Sequence, residues 1–136
     1  MHDTSHEVLV AFSDTENYPF FREVVVRFGL TSIFSANSAE TQVLLARRPI
    51  CLAFCEERLP QGGYREVLGQ VVRSSVRIPV IVVSRTSNWN EYLKVLHDGA
   101  FDCLTCPLRL PQVEEVLKHG LREFYARNTL RPGVVA

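Results

Sequence analysis

The sequence lacks the features that mark secreted, membrane-spanning and strongly nucleic-acid-binding proteins. No apolar run approaches the roughly 18 residues of a transmembrane helix, and residues 1–7 have neither the basic nor the apolar region of a signal peptide. Fifteen basic residues balance fifteen acidic residues, so the positive excess typical of DNA-binding and membrane-surface domains is missing. We therefore expect a cytoplasmic domain that contacts neither nucleic acid nor a membrane directly.

The four cysteines do not suggest a disulfide framework in a chain that lacks a signal peptide. Cys51 and Cys55 fall in apolar runs, where cysteines usually pack as small hydrophobic residues. A redox or metal site formed by Cys55 and Cys106 is therefore the less favoured interpretation. His2 and His6 lie in a polar terminus and are not expected to bind a metal either.

Short apolar runs alternate five times with helical patterns. The runs are Val8–Phe12, Thr31–Ser35, Ile50–Cys55, Pro79–Val83 and Phe101–Thr105, and the last helical pattern runs from Leu110 to about Ala126. Strands separated by single helices imply right-handed crossovers and a parallel sheet. The alternation predicts a doubly wound α/β fold with a five-stranded parallel sheet over residues 7–126. Residues 1–6 are expected to form a flexible N-terminus and residues 127–136 a C-terminal tail.

Functional groups in such a sheet gather beyond the carboxyl ends of the strands, and three segments there resemble motifs of the receiver domains of two-component response regulators. Glu56–Pro60 is similar to an acceptor carboxylate followed four residues later by proline. Ile78–Ser84 is similar to the strand that ends in a switch hydroxyl, and Gly99–Pro107 is similar to the family's Gly-Ala…Lys-Pro strand. The resemblance implies a flavodoxin-like (βα)5 three-layer sandwich and a non-enzymatic role in phosphorelay signal transduction.

The sequence departs from this family at most of the positions that phosphoryl transfer to aspartate requires. Phe12 and Ser13 stand in place of the acidic pair that holds Mg²⁺, Glu56 replaces the acceptor aspartate, and Cys106 replaces the lysine. Ser84 alone keeps the family's residue type as the switch hydroxyl. Because Mg²⁺ requires oxygen ligands and the transferred group requires preorganised positive charge, we expect a pseudo-receiver that has no cofactor and acts through protein–protein interaction.

Alternative interpretations remain at several of these residues. The domain could be a functional phospho-acceptor that uses Glu56 or a nearby acid with Mg²⁺, with Asp14 and Glu16 as weak metal candidates, although helix capping explains both as well. Glu56 could imitate a phosphorylated acceptor and bias Ser84, or it could be a solvated loop carboxylate. Ser84 could also simply cap the following loop. A flavodoxin-like cofactor site ranks last, because residues 13–17 contain no glycine.

The expected partner is another protein or an effector domain. The resemblance implies docking, or formation of a homodimer, through the face formed by the fourth helix, the fifth strand and the fifth helix. Its candidate residues are Tyr92, Lys94, Arg109, Glu114 and Lys118. Trp89 would mark this face if it were exposed, but packing over the sheet is the favoured interpretation. His97 and His119 are expected on helix surfaces.

Overall fold

A computed structural model describes residues 6–74, 76–86 and 88–129 as a parallel sheet covered by helices. The strands are β1 (Glu7–Ala11), β2 (Thr31–Ser35), β3 (Ile50–Glu56), β4 (Val80–Ser84) and β5 (Asp102–Thr105). The helices are α1 (Tyr18–Val26), α2 (Ser38–Arg47), α3 (Tyr64–Arg73), α4 (Trp89–His97) and α5 (Leu110–Thr129). The strand order is β2-β1-β3-β4-β5, and all neighbouring strands are parallel. The predicted fold class is confirmed.

The central strands are buried on both faces. Every residue of β3 is buried, and only Glu7 of β1 is partly exposed. Helices on both sides of a parallel sheet cover its two faces, which is why these strands are continuously apolar instead of alternating. The sheet therefore provides a rigid base, and the loops that follow its strands carry the polar side chains.

The helices dock through apolar stripes at helical spacing. Phe21, Val24 and Val25 are the buried residues of α1, and Val113 and Leu117 lie in the core side of α5. Further along α5, a Cβ added at Gly120 would overlap the side chain of Leu52 in β3. Glycine at this position therefore allows α5 to approach the sheet closely.

The helix ends follow the capping signals in the sequence. The Asn37 Oδ1 accepts a hydrogen bond from the Glu40 backbone N–H at 2.9 Å, and the Glu40 carboxylate accepts one from the Ala36 N–H at 2.8 Å. Gly29 and Gly99 follow α1 and α4 with positive φ angles of 74° and 115°, a conformation that glycine adopts without steric cost. The two glycines therefore let the chain turn shortly after each helix.

The structure differs from the sequence prediction at both termini. Helix α5 continues to Thr129, so residues 127–129 of the predicted tail are helical. The rest of that tail, and residues 1–5 with His2, lie outside the described residues. His6 was expected in a flexible segment, but its ring centroid lies 5.3 Å from that of Phe124.

Within the described ranges, none of the helices combines the length and apolar character needed to cross a membrane.

A short hairpin between β3 and α3 was not predicted. It pairs Arg58–Leu59 with Gly62–Gly63 in antiparallel register, and Gln61 at its turn has a φ of 69°. The hairpin directs the chain from the end of β3 back toward α3. Glu57 lies between β3 and this hairpin, and its carbonyl accepts a hydrogen bond from the Tyr64 N–H at 3.3 Å.

Candidate functional site

Glu56 is the last residue of β3, and its carboxylate is held by the neighbouring loops. Its Oε1 accepts hydrogen bonds from the Ser13 backbone N–H at 2.8 Å and from the Ser13 hydroxyl at 3.1 Å. Its Oε2 lies 3.5 Å from Nη2 of Arg85. Glu56 is only 8% exposed, so it is not the freely solvated loop carboxylate considered from the sequence.

The two kinds of contact differ in strength. The Arg85 side chain is 74% exposed, and an exposed ion pair of this kind contributes about 0–1 kcal/mol. Hydrogen bonds to a charged group contribute about 1.5–3 kcal/mol. Ser13 therefore supplies most of the restraint on Glu56, and Arg85 supplies positive charge at the rim.

Ser84 ends β4 with its side chain buried. Its hydroxyl donates a hydrogen bond to Glu57 Oε1 at 2.8 Å and accepts one from the Thr86 N–H at 3.2 Å. The structure thus pairs the switch-position hydroxyl with Glu57, while Glu56 turns toward Ser13. The contact with Thr86 is the loop-capping role that the sequence also suggested for Ser84.

The residues at the acidic-pair position do not fit a magnesium ion. The Phe12 side chain is 2% exposed and its ring centroid lies 5.1 Å from that of Phe21, so it belongs to the core. The Asp14 carboxylate accepts a hydrogen bond from the Glu16 backbone N–H at 3.0 Å and caps the 3₁₀ turn Thr15–Asn17. Among the described residues, no group of three or more His, Cys, Asp or Glu side chains is arranged to hold a metal. Proteins usually hold Mg²⁺ through one or two carboxylates, with water completing the coordination, and neither Phe12 nor Ser13 offers a carboxylate at this position.

The lysine position is filled by the partly buried thiol of Cys106. Burial raises the pKa of this thiol and the nearby Glu56 carboxylate raises it further, while Arg85 lowers it. A neutral thiol cannot replace the ammonium group of a lysine. The cation that acts on this thiol is Arg85, which follows Ser84 in the sequence.

Burial also disfavours the thiolate form of the other three cysteines. Burial raises the pKa of the Cys51 and Cys55 thiols to about 12 and that of Cys103 to about 11. Cys103 and Cys106 have the Cys-x-x-Cys spacing, a feature that the sequence reasoning overlooked. Along an extended strand this spacing corresponds to roughly 10 Å, which is beyond the reach of a disulfide. All four thiols are free.

A cavity of about 470 Å³ opens beside these residues. Its lining carries more carboxylates than guanidinium groups; the residues are Glu56, Glu57, Arg58, Val83, Arg85, Thr86 and Glu91. A phosphoryl dianion entering this cavity would meet three carboxylates as well as the guanidinium groups of Arg58 and Arg85. The lining therefore offers no excess of positive charge to a phosphoryl group.

The exposed face of α4 is apolar, contrary to the favoured sequence interpretation. Trp89 is 69% exposed and stacks on Tyr92 with ring centroids 5.4 Å apart, and Leu93 is also exposed. The buried residue of α4 is Val95 instead. Glu114 was predicted on the face shared with α4, but it pairs with Arg27 of α1 at 2.8 Å and so lies on the other side of α5.

Two residues of the site were missed by sequence reasoning. Neither Arg85 nor Glu57 was singled out from the sequence as a functional residue. A signal for Arg85 was available, because it lies two residues after the predicted strand Pro79–Val83, whereas Arg58 lies three residues after the predicted strand Ile50–Cys55. No local signal shows which of Glu56 and Glu57 faces Ser84.

Comparisons with known proteins bear out the resemblance to receiver domains. No family model matches the chain. The response regulator protein PilR of Pseudomonas aeruginosa is 29% identical over 96 residues, which are 71% of this chain and 22% of PilR. The chain thus spans about a fifth of the length of that curated relative.

Solved receiver-domain structures share the fold across nearly the whole chain. The receiver domain of a putative LuxO repressor from Vibrio parahaemolyticus superposes with a TM-score of 0.85 at 14% identity, covering 93% of this chain and 98% of that one. The beryllofluoride-activated NtrC4 receiver domain dimer gives a TM-score of 0.79 at 16% identity, covering 87% and 98%. At these identities the likeness establishes the fold alone. The chemistry of the pocket has to be inferred from the residues that line it.

Proposed function

Starting from this similarity to response-regulator receiver domains, we propose that the domain is a pseudo-receiver of two-component signalling. It transmits information through protein–protein contacts and does not undergo phosphorylation at the acceptor position. It needs no bound metal for this role and has no catalytic activity of its own. The setting expected for such a module is the cytoplasm, where response regulators work.

The observation that carries the proposal is the engagement of Glu56. Its carboxylate already has two hydrogen-bond donors from Ser13 and a cation from Arg85. A phosphoryl donor would have to displace these contacts before Glu56 could attack it. Phe12 and Ser13 cannot hold Mg²⁺ through carboxylates, and Cys106 is not a lysine. The negative charge that develops on the phosphoryl group would therefore lack its usual compensation.

The expected losses of transition-state stabilisation also argue against phosphoryl transfer to Glu56. Removing a single preorganised charge-stabilising group typically costs about 2.7–4 kcal/mol of transition-state stabilisation, and this pocket lacks both metal ligands and the lysine. Glutamate is also one methylene longer than aspartate, and a displacement of about 1 Å can lower a rate about 100-fold. These losses together leave little phosphoryl transfer.

The surface proposed for the partner is the α4 face, defined here as Trp89, Tyr92 and Leu93. Large aromatic side chains dominate interface hot spots, and an exposed tryptophan stacked on a tyrosine is unusual on a surface without a binding role. Lys94 and Arg109, two of the residues predicted on the docking face, are both exposed. A protein partner, an effector domain or a second copy of the chain are the proposed occupants.

Magnesium binding tests the proposal. We expect titration with MgCl₂ and beryllofluoride, followed by calorimetry and by the fluorescence of Trp89, to give no saturable signal up to millimolar Mg²⁺, because Phe12 and Ser13 offer no carboxylate. NaCl at matched ionic strength is the control. Saturable binding at or below millimolar Mg²⁺ that disappears in Glu56→Gln would favour the functional phospho-acceptor instead.

A further inference from the structure

The segment that follows β3 contacts the chain on both sides of α4. Glu57 reaches the loop before this helix, and Tyr64 and Arg65 reach the residue directly after it. We infer that these residues form a two-point clamp that holds α4, and with it the α4 face, in one orientation without phosphorylation. The inference rests on the proposed function only in treating the α4 face as the docking surface.

The first point of the clamp fixes the entrance to α4. The Glu57 carboxylate accepts a hydrogen bond from the Ser84 hydroxyl at 2.8 Å, and the same hydroxyl oxygen accepts a hydrogen bond from the Thr86 N–H at 3.2 Å. Thr86 lies two residues before Asn88, whose side chain caps α4 by accepting from the Asn90 N–H at 2.9 Å. Glu57 and Ser84 therefore hold Thr86 two residues before the residue that caps α4.

The second point fixes the exit from α4. The Tyr64 hydroxyl donates to Asp98 Oδ2 at 2.6 Å, and Arg65 Nε donates to the same oxygen at 3.0 Å. These two donors lower the pKa of Asp98, so the carboxylate stays charged and both hydrogen bonds persist at neutral pH. The Tyr64 backbone N–H also donates to the Glu57 carbonyl at 3.3 Å, which joins the two points.

Apolar packing alone holds α4 weakly. Val95 is the one buried residue among the nine of α4, whereas α3 buries Tyr64, Val67, Leu68 and Val71. A helix with few buried apolar contacts opens locally at low free-energy cost. The polar contacts at its two ends therefore account for a large share of its local stability.

Hydrogen–deuterium exchange of two conservative variants tests the clamp. Tyr64→Phe and Ser84→Ala each remove one hydroxyl and little volume. We expect each to accelerate amide exchange in α4 by about tenfold, as the loss of one strong hydrogen bond implies, and the double variant to accelerate it further. Exchange in α1 and α2 should stay unchanged. Tyr125→Phe, which alters an exposed tyrosine of α5, is the matched control and should leave α4 unaffected.

Two results would overturn the clamp. Unchanged α4 exchange in the double variant would show that these contacts do not hold the helix. An equal acceleration in all helices would show that the contacts stabilise the domain as a whole and do not act on α4 in particular. Neither result bears on whether Glu56 can be phosphorylated, so failure of the clamp and failure of the proposed function are distinguishable.

Discussion

Replacing Phe12 with aspartate is expected to destabilise the domain by at least about 4 kcal/mol and not to create a metal site. The substitution restores an acid at the position where receiver domains carry one. Here, however, the Phe12 side chain lies against Phe21 inside the core. Deleting a buried phenylalanine costs about 3–5 kcal/mol, and an unpaired buried polar group adds about 1–3 kcal/mol.

Urea denaturation followed by circular dichroism measures this effect. Since domains are typically stable by about 5–15 kcal/mol, this loss is a large fraction of the free energy of unfolding, and the urea midpoint of the Phe12→Asp variant should fall far below that of the wild type. Phe12→Leu keeps an apolar side chain and is the control, with an expected loss below about 1.5 kcal/mol. A Phe12→Asp variant that stays near wild-type stability and gains Mg²⁺ binding would show that position 12 points into the pocket.

The fold was predictable because its signals are local and repeated. Runs such as Ile50–Cys55 are apolar on both faces, and this pattern suits the centre of a parallel sheet regardless of what surrounds it. Asn37 and Glu40 carry a capping motif that acts within one turn of helix. Five such strand–helix units leave few alternatives to a doubly wound sheet.

The contacts of the pocket were less predictable because they join residues far apart in sequence. Glu56 and Ser13 are separated by 43 positions, and only the assembled sheet edge places the Ser13 N–H within reach of the carboxylate. Glu57, the partner of Ser84, is likewise 27 positions away from it, so its contact also depends on the assembled sheet edge.

The exposed position of Trp89 was missed for a different reason. Helix α4 carries apolar residues at two sets of positions, and helical spacing alone does not show which set faces the sheet. Trp89, Tyr92 and Leu93 form the larger stripe, yet the core accepts the smaller Val95. A large hydrophobic residue usually indicates burial, and the exposure of Trp89 is the reason that we propose the α4 face as a docking surface.

The second large effect that we expect is the absence of phosphoryl transfer to Glu56. The Glu56 carboxylate would have to leave Ser13 and approach a phosphoryl donor in a cavity lined by three glutamates. The charge that develops on the transferred group requires compensation by metal ions or by positioned cations. The Arg85 guanidinium lies 3.5 Å from Glu56, but its side chain is 74% exposed, and an exposed ion pair of this kind is weak.

Incubation with acetyl phosphate and Mg²⁺, followed by intact-mass spectrometry, therefore tests the account most directly. A receiver domain with an acceptor aspartate serves as the positive control in the same buffer. We predict that the wild-type domain keeps its unmodified mass while the control gains one phosphoryl group. A hydroxylamine-sensitive phosphoryl group on the wild-type domain that is absent from Glu56→Gln would contradict the account, because it would show that the pocket still performs the chemistry.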